Sequence, residues 1–156
     1  MKKSLIRLFL SILFATSFAN CYSQTSNDSL KQVFSSKTFT LVEDYTGDWG
    51  GHLHTFIFTV KGNDVRIQWG NPELLKNGKD LDALFPMSVL DALKNIFLNC
   101  SQRIFISKNK STEHIIYKLS NKNSTYTIDD RFTMECNDDF KAWKEELLSE
   151  WKKTRK

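Results

Sequence analysis

Hydrophobic and polar residues alternate with a period of two in several segments of the chain. These segments are residues 38–45, 53–61, 65–69, 103–107, 114–119 and 125–134. Successive side chains of a β-strand point to opposite faces of a sheet, so the alternation predicts half-buried strands. Gly62-Asn63 separates the second and third segments. A two-residue loop that begins with glycine suits a type II′ hairpin turn, which predicts that these two strands pair.

Two other segments carry their apolar residues at helical spacing. The first, Asp80 to Asn99, contains Pro86 at a position that the first turn of a helix tolerates. It is predicted to form one helix with an interrupted start. In the second, Asn137 or Asp138 can cap a helix whose apolar stripe is spaced three, four and four residues apart. The stripe consists of Phe140, Trp143, Leu147 and Trp151.

The predicted elements follow one another as three strands, a helix, three strands and a helix. Polar stretches at 108–112 and 120–124 suit the turns between antiparallel strands. This βββαβββα order predicts an α+β fold, with two helices packed on one face of an antiparallel sheet of about six strands. A chain of 156 residues fits one such domain, which we place at residues 37–156.

The N-terminal segment is typical of a secretory signal peptide. Lys2 and Lys3 precede a run from Leu5 to Ala19 that is mostly apolar. Its most apolar part, Leu8 to Ala15, contains only Ser11 as a polar residue and is shorter than the roughly 20 residues that cross a bilayer. Residues 1–23 are therefore predicted to direct export, and the polar residues 24–36 to form a flexible leader.

Three interpretations of signal processing remain open. Small residues favour cleavage after Ala19 or after Ser23. In the third, Cys21 is lipidated, although Asn20 departs from the small residue that a bacterial lipoprotein signal places before its cysteine. The first two predict a periplasmic or extracellular protein without a transmembrane span. The third predicts a lipid anchor in the outer envelope.

The net charge changes once the signal peptide is set aside. The chain has 22 basic and 18 acidic residues, a formal charge of +4. Removal of Lys2, Lys3 and Arg7 leaves 19 basic residues, so the mature chain is near +1. Several of the remaining basic residues crowd at the C-terminus from Lys152 to Lys156. The composition therefore offers no basic stripe for nucleic acid, which we do not expect as a partner.

Cysteine usage adds a prediction about cross-linking. Cleavage before Gln24 would leave Cys100 and Cys136 as the two cysteines of the mature chain. In an oxidising compartment such a pair favours a disulfide, which would stabilise the fold by about 4 kcal/mol on the chain-entropy model. Two separately buried thiols are the alternative.

The segment from Tyr45 to His54 concentrates the unusual residues of the chain. It combines a cluster of glycines with aromatic and histidine side chains, and it is predicted to contain a long loop. Trp49 in this loop could bury a large area against a partner at little cost in side-chain entropy. His52 and His54 would share one face of a strand and could bind zinc, with Glu43 or Asp48 supplying an oxygen ligand.

No catalytic motif accompanies this segment. The sequence has no Gly-x-Ser-x-Gly and no glycine-rich loop that opens a helix. The leading hypothesis is therefore a non-enzymatic exported module, without a cofactor, that binds a protein or surface ligand. Its predicted binding residues are Tyr45, Asp48, Trp49, His52 and His54. The alternatives are a zinc site on His52 and His54, and an envelope lipoprotein with an accessory role.

Overall fold

A computed structural model describes residues 28–47, 50–70, 81–106, 114–130 and 135–154. Six strands form one antiparallel sheet in the order β4-β3-β2-β1-β5-β6. The strands are β1 (Thr38–Gly47), β2 (Gly50–Lys61), β3 (Asp64–Gly70), β4 (Leu81–Pro86), β5 (His114–Ser120) and β6 (Thr125–Asp130). The helices are α1 (residues 28–34), α2 (Ser88–Ile106) and α3 (Glu135–Thr154). The predicted α+β class is confirmed, and α2 and α3 pack against the sheet.

One face of the sheet forms the core. Alternate side chains of the strands, such as Phe39, Phe58 and Ile67, are fully buried beneath the two long helices. Trp143 of α3 stacks at a tilt over Phe58, and its indole N–H donates a 3.2 Å hydrogen bond to the carbonyl of Val89 in α2. On the opposite face, three large apolar side chains are exposed: Leu53, Ile57 and Leu84. The sheet therefore buries one face, as the alternation predicts.

The hairpin of β1 and β2 differs from the predicted long loop. The ladder continues to the pair Gly47 and Gly50, so the glycine-rich stretch is mostly strand, and the prediction of a loop from Tyr45 to His54 is wrong. A Cβ atom on Gly51 would lie 3.0 Å from the carbonyl oxygen of Tyr45. Glycine thus permits close approach of the two backbones here. Residues 48 and 49, and with them Asp48 and Trp49, lie outside the described residues.

The second hairpin agrees with its prediction. Gly62 and Asn63 form a two-residue turn between β2 and β3, and Lys61 pairs with Asp64 across it. Gly62 has a φ of 64°, a backbone conformation that glycine adopts without steric cost.

Residues 81–86 form a strand, where the sequence predicted the start of a helix. Leu81 and Phe85 are buried while Leu84 is 54% exposed. A spacing of four fits one face of a helix and one face of a strand equally well, so these two residues could not distinguish the structures. Pro86 ends a strand at the edge of the sheet, a position at which proline is tolerated.

The long helices also differ at their ends. α2 continues to Ile106, so the predicted strand from residue 103 is wrong. Arg103 in its last turn forms a 2.7 Å ion pair with Asp139 of α3. α3 (Glu135–Thr154) includes Asn137 and Asp138, so both predicted caps lie inside the helix. A five-residue alternation is too short to exclude a helical continuation.

The N-terminal helix α1 replaces part of the predicted flexible leader. Leu30 and Val33 are 1% and 0% exposed, and Phe34 packs against the core beside them. Their spacing of three and four forms an apolar helical stripe, which the surrounding serine, asparagine and lysine obscure. Residues 28–34 therefore belong to the domain. Residues 24–27, the predicted signal peptide and Cys21 lie outside the described residues.

The predicted disulfide is absent. Cys100 and Cys136 are both free thiols, each 0% exposed, in the packed layer of α2 and α3. A disulfide would require the sulfurs to be about 2.05 Å apart. The neighbouring Cys100 thiol, together with burial, raises the pKa of Cys136. The two thiols act as small buried residues between two helices.

These thiols are expected to be unreactive in the folded protein. Burial denies access to a reagent, and the raised pKa of Cys136 keeps that thiol protonated. Iodoacetamide should label neither Cys100 nor Cys136 in native buffer and both in denaturant without reductant, as peptide mass spectrometry would show. If the two cysteines are labelled in denaturant only after a reductant has been added, they form a disulfide, and the structure is contradicted.

Candidate functional site

A pocket at one end of the sheet brings the predicted site residues together. Its volume is about 180 Å³, and its lining residues are Glu43, Tyr45, His52, His54, Ile115 and Asn137. Three of the five predicted binding residues therefore share one concave surface. The other two, Asp48 and Trp49, lie outside the described residues.

The strand register explains why these side chains meet. Tyr45 pairs with His52 and Glu43 pairs with His54 across β1 and β2. Ile115 of β5 pairs with Tyr45 on the other side of β1. Directly opposed residues point to the same face of an antiparallel sheet, so this ladder brings all five side chains to the face that α3 covers. α3 contributes Asn137 from its first turns.

Glu43 is the buried ionisable group of the pocket. Its side chain is 8% exposed. The ammonium of Lys144 donates to both carboxylate oxygens, at 2.7 and 2.8 Å. Nδ1 of His54 lies 3.1 Å from Oε2. Glu43 thus connects the two strands of the hairpin to α3 through one carboxylate.

The electrostatics of Glu43 favour its charged form. Burial alone would raise its pKa, but the hydrogen bond from His54 and the charge and hydrogen bonds of Lys144 outweigh that effect. The pKa of Glu43 therefore lies below its usual value. Because an ionised carboxylate only accepts hydrogen bonds, Nδ1 of His54 carries the shared hydrogen. The carboxylate thereby fixes the tautomer and orientation of the imidazole.

This depressed pKa predicts a pH dependence of stability. The stabilisation from ionised Glu43 is present above its unfolded pKa of about 4.3 and is lost as the pH falls through the lower folded value. Wild type should therefore exceed Glu43→Gln in unfolding free energy at neutral pH. The difference should shrink below about pH 4.3.

Urea unfolding of both proteins across this pH range measures the difference. Asp82, whose pKa is also lowered, titrates in both proteins and cancels in the comparison. A difference that stays constant or grows on acidification would contradict the assigned ion pair.

Tyr117 lies beside Glu43 and adds no charge. It pairs with Glu43 across β1 and β5, and its ring stacks on Phe140 of α3 with centroids 3.8 Å apart. Burial, assisted by the charges of Glu43 and Asp130, raises its pKa. The phenol therefore remains neutral, and its hydroxyl has no hydrogen-bond partner among the described residues.

The rings around the pocket form a second set of contacts. The rings of Tyr45 and His52 are nearly parallel, with an interplanar angle of 17° and centroids 6.1 Å apart. His54 meets Trp69 edge to face at 5.9 Å. Aromatic pairs in these arrangements each contribute about 0.5–1.5 kcal/mol beyond burial. The pocket is therefore bordered by oriented rings.

The described part of the chain supplies no third ligand for the zinc site that was predicted at His52 and His54. Within it, no group of three or more histidine, cysteine, aspartate or glutamate side chains is arranged to hold a metal ion. Nδ1 of His54 and both oxygens of Glu43 are engaged with each other or with Lys144. Zinc binding by His52 and His54 stays a prediction.

Sequence reasoning missed the contribution of Lys144. This residue is 101 positions from Glu43, and nothing local indicates the contact. One signal was available, since Lys144 lies four residues after Phe140 and three before Leu147, within the apolar stripe of α3. A lysine within such a stripe indicates a buried partner of opposite charge. Its side chain is 16% exposed.

Comparisons with known proteins add no family to these observations. No protein-family model matches the chain, and no curated protein matches it significantly. Among the described residues, no helix combines the length and apolar character needed to cross a membrane.

Proposed function

We propose that this protein is a non-enzymatic binding module whose pocket receives one side chain of a protein partner. The observation that supports the proposal is the convergence of Tyr45, His52 and His54, with Glu43, on one concave surface. Tyr45, His52 and His54 come from the segment whose glycine, aromatic and histidine content favours recognition. A binding role requires a shaped surface with a few fixed polar groups, which this pocket provides.

The size of the pocket favours a side chain over a larger ligand. Pockets for drug-sized molecules and cofactors enclose about 300–1,000 Å³. The present pocket, at about 180 Å³, is smaller. Protein interfaces commonly depend on a few anchoring side chains that fill pockets of this kind. A single anchor, surrounded by weaker contacts, is therefore the occupant that the volume fits best.

The fixed orientation of the lining supports the same role. Lys144 and Glu43 hold His54 in one position, and Tyr45 stacks with His52. Side chains that are ordered before binding lose little conformational entropy when a partner arrives. A preorganised pocket therefore suits recognition without chemistry.

The proposed location is outside the cytoplasm. The proposal rests on the signal-like segment at residues 1–23, with the lipid-anchored form at Cys21 as the alternative. Both place the domain where a partner on a cell surface or in the periplasm can reach it.

A titration with capped amino acids tests the proposed function. Each N-acetyl amino acid methylamide is added to ¹⁵N-labelled protein while backbone amide chemical shifts are followed. We expect at least one probe to shift the amides of the pocket residues, with a dissociation constant of about 6–80 mM, because one buried side chain contributes only about 1.5–3 kcal/mol. Absence of such shifts for every probe would contradict the proposal.

Two neighbouring positions supply a matched pair of variants. His52 lines the pocket, whereas Leu53 follows it in β2 on the opposite, exposed face. His52→Ala should weaken probe binding about two- to tenfold through loss of ring contacts. Leu53→Ala should leave binding unchanged. Equal weakening by both variants would place the binding site elsewhere.

A further inference from the structure

The carboxylate in the described lining of the pocket is paired with Lys144, which is not itself a lining residue. Glu43 is the one carboxylate of this lining, and it lies against the ammonium of Lys144 at 2.7 and 2.8 Å. The positive charge of Lys144 therefore compensates the negative charge of Glu43 beside the pocket. The hydroxyl of Tyr117, next to Glu43 in the sheet, adds a neutral group.

This balance disfavours charged occupants. A cationic side chain would approach the ammonium of Lys144 and find a carboxylate that is already paired. An anionic side chain would approach the carboxylate of Glu43. Either would also lose its hydration without gaining a partner of opposite charge, which is unfavourable for an ion. A neutral occupant avoids both penalties.

The rings and the amide around the pocket specify the occupant further. Tyr45 and His52 lie nearly parallel at the edge, where another ring can stack in an offset arrangement. Ile115 supplies an aliphatic wall. Asn137 of α3 also lines the pocket and is partly exposed. An amide can donate to a ligand or accept from one.

We propose that the pocket selects a neutral aromatic side chain that carries a hydrogen-bonding group, a tyrosine or a tryptophan of the partner. This inference rests on the proposed function and names the chemistry of the anchor. The ring stacks against Tyr45 and His52, and its hydroxyl or indole N–H bonds with the side chain of Asn137. Phenylalanine fills the same space without the hydrogen bond and binds more weakly.

The ranking of four capped amino acids tests this inference. The N-acetyl methylamides of tyrosine, phenylalanine, lysine and glutamate are titrated separately, and their dissociation constants are obtained from the shifts of pocket amides. Tyrosine should bind about two- to tenfold more tightly than phenylalanine, the usual effect of one hydrogen bond. Lysine and glutamate should bind more weakly than phenylalanine. Asn137→Ala should remove the preference for tyrosine over phenylalanine without weakening phenylalanine.

The outcomes separate the two proposals. If lysine or glutamate binds in the pocket as tightly as tyrosine, the selection of neutral aromatic anchors is wrong while the binding function stands. Retention of the tyrosine preference in Asn137→Ala would likewise overturn the assigned hydrogen bond and leave the function intact. If none of the capped amino acids shifts the pocket amides, the proposed function itself fails.

Discussion

Replacing Lys144 by methionine is expected to destabilise the protein by about 3–5 kcal/mol at neutral pH. The ammonium donates to both oxygens of a carboxylate that is 8% exposed. Methionine keeps the volume and the helix propensity of the side chain but removes its charge. The carboxylate of Glu43 would then remain buried with His54 as its neighbour. Urea unfolding of both proteins measures the loss, provided that the unfolding free energy depends on urea concentration with the same slope in each.

Two further variants show whether the loss belongs to the ion pair. Lys141→Met changes an exposed lysine one turn earlier in α3 and should alter stability by less than about 0.5 kcal/mol. Adding Glu43→Gln to Lys144→Met should recover part of the loss, because the double variant no longer buries an uncompensated charge. Equal effects of the two lysine substitutions, or no recovery, would contradict the buried pair.

The second large effect is expected at the N-terminal helix α1. Leu30→Ala should cost about 2–5 kcal/mol, because it removes a fully buried side chain from a packed core. The helix is also tied to the turn between β5 and β6, where the amide of Asn121 donates to the carbonyl of Gln32 at 3.0 Å. Loss of the Leu30 side chain would therefore weaken the packing of α1 on the core and the hydrogen bond between Asn121 and Gln32.

Lys31 supplies the control for this prediction. It follows Leu30 in the same helix and is exposed, so Lys31→Ala should change the unfolding free energy by less than about 0.5 kcal/mol. Thermal and urea unfolding of the two variants show whether residues 28–34 form a helix packed on the core or a flexible leader. If Leu30→Ala is as stable as wild type, residues 28–34 are not part of the folded core.

Alternation with a period of two identified most of the sheet. It predicted β2, β3 and β5 closely, because each strand has one buried and one exposed face over several residues. It failed at β4, where Leu81 and Phe85 are spaced by four and satisfy either period. It failed again after Arg103, where the helix α2 continues through a short alternating stretch. In both cases the spacing of residues along the chain is compatible with a helix and with a strand. Contacts between residues that are distant in sequence select the structure, and the spacing does not reveal those contacts.

Part of the candidate site was also accessible from the sequence. Strand periodicity placed His52 and His54 on one face, and Glu43 was a predicted neighbour of theirs. The glycines suggested a loop, although they occupy the paired ends of two strands. Lys144 and Asn137 could not be placed, because the packing of α3 over the hairpin is a property of the whole fold. The disulfide prediction used the compartment and the number of cysteines, neither of which fixes how two side chains meet between helices.

The convergence of the pocket residues is best tested by nuclear Overhauser effects in isotopically labelled protein. The structure predicts cross-peaks between the rings of Tyr45 and His52 and between the rings of His54 and Trp69. It also predicts contacts of Tyr45 with the methyl groups of Ile115. A flexible segment from residue 45 to residue 54, without cross-strand peaks to its partners, would contradict the pocket and the function proposed from it.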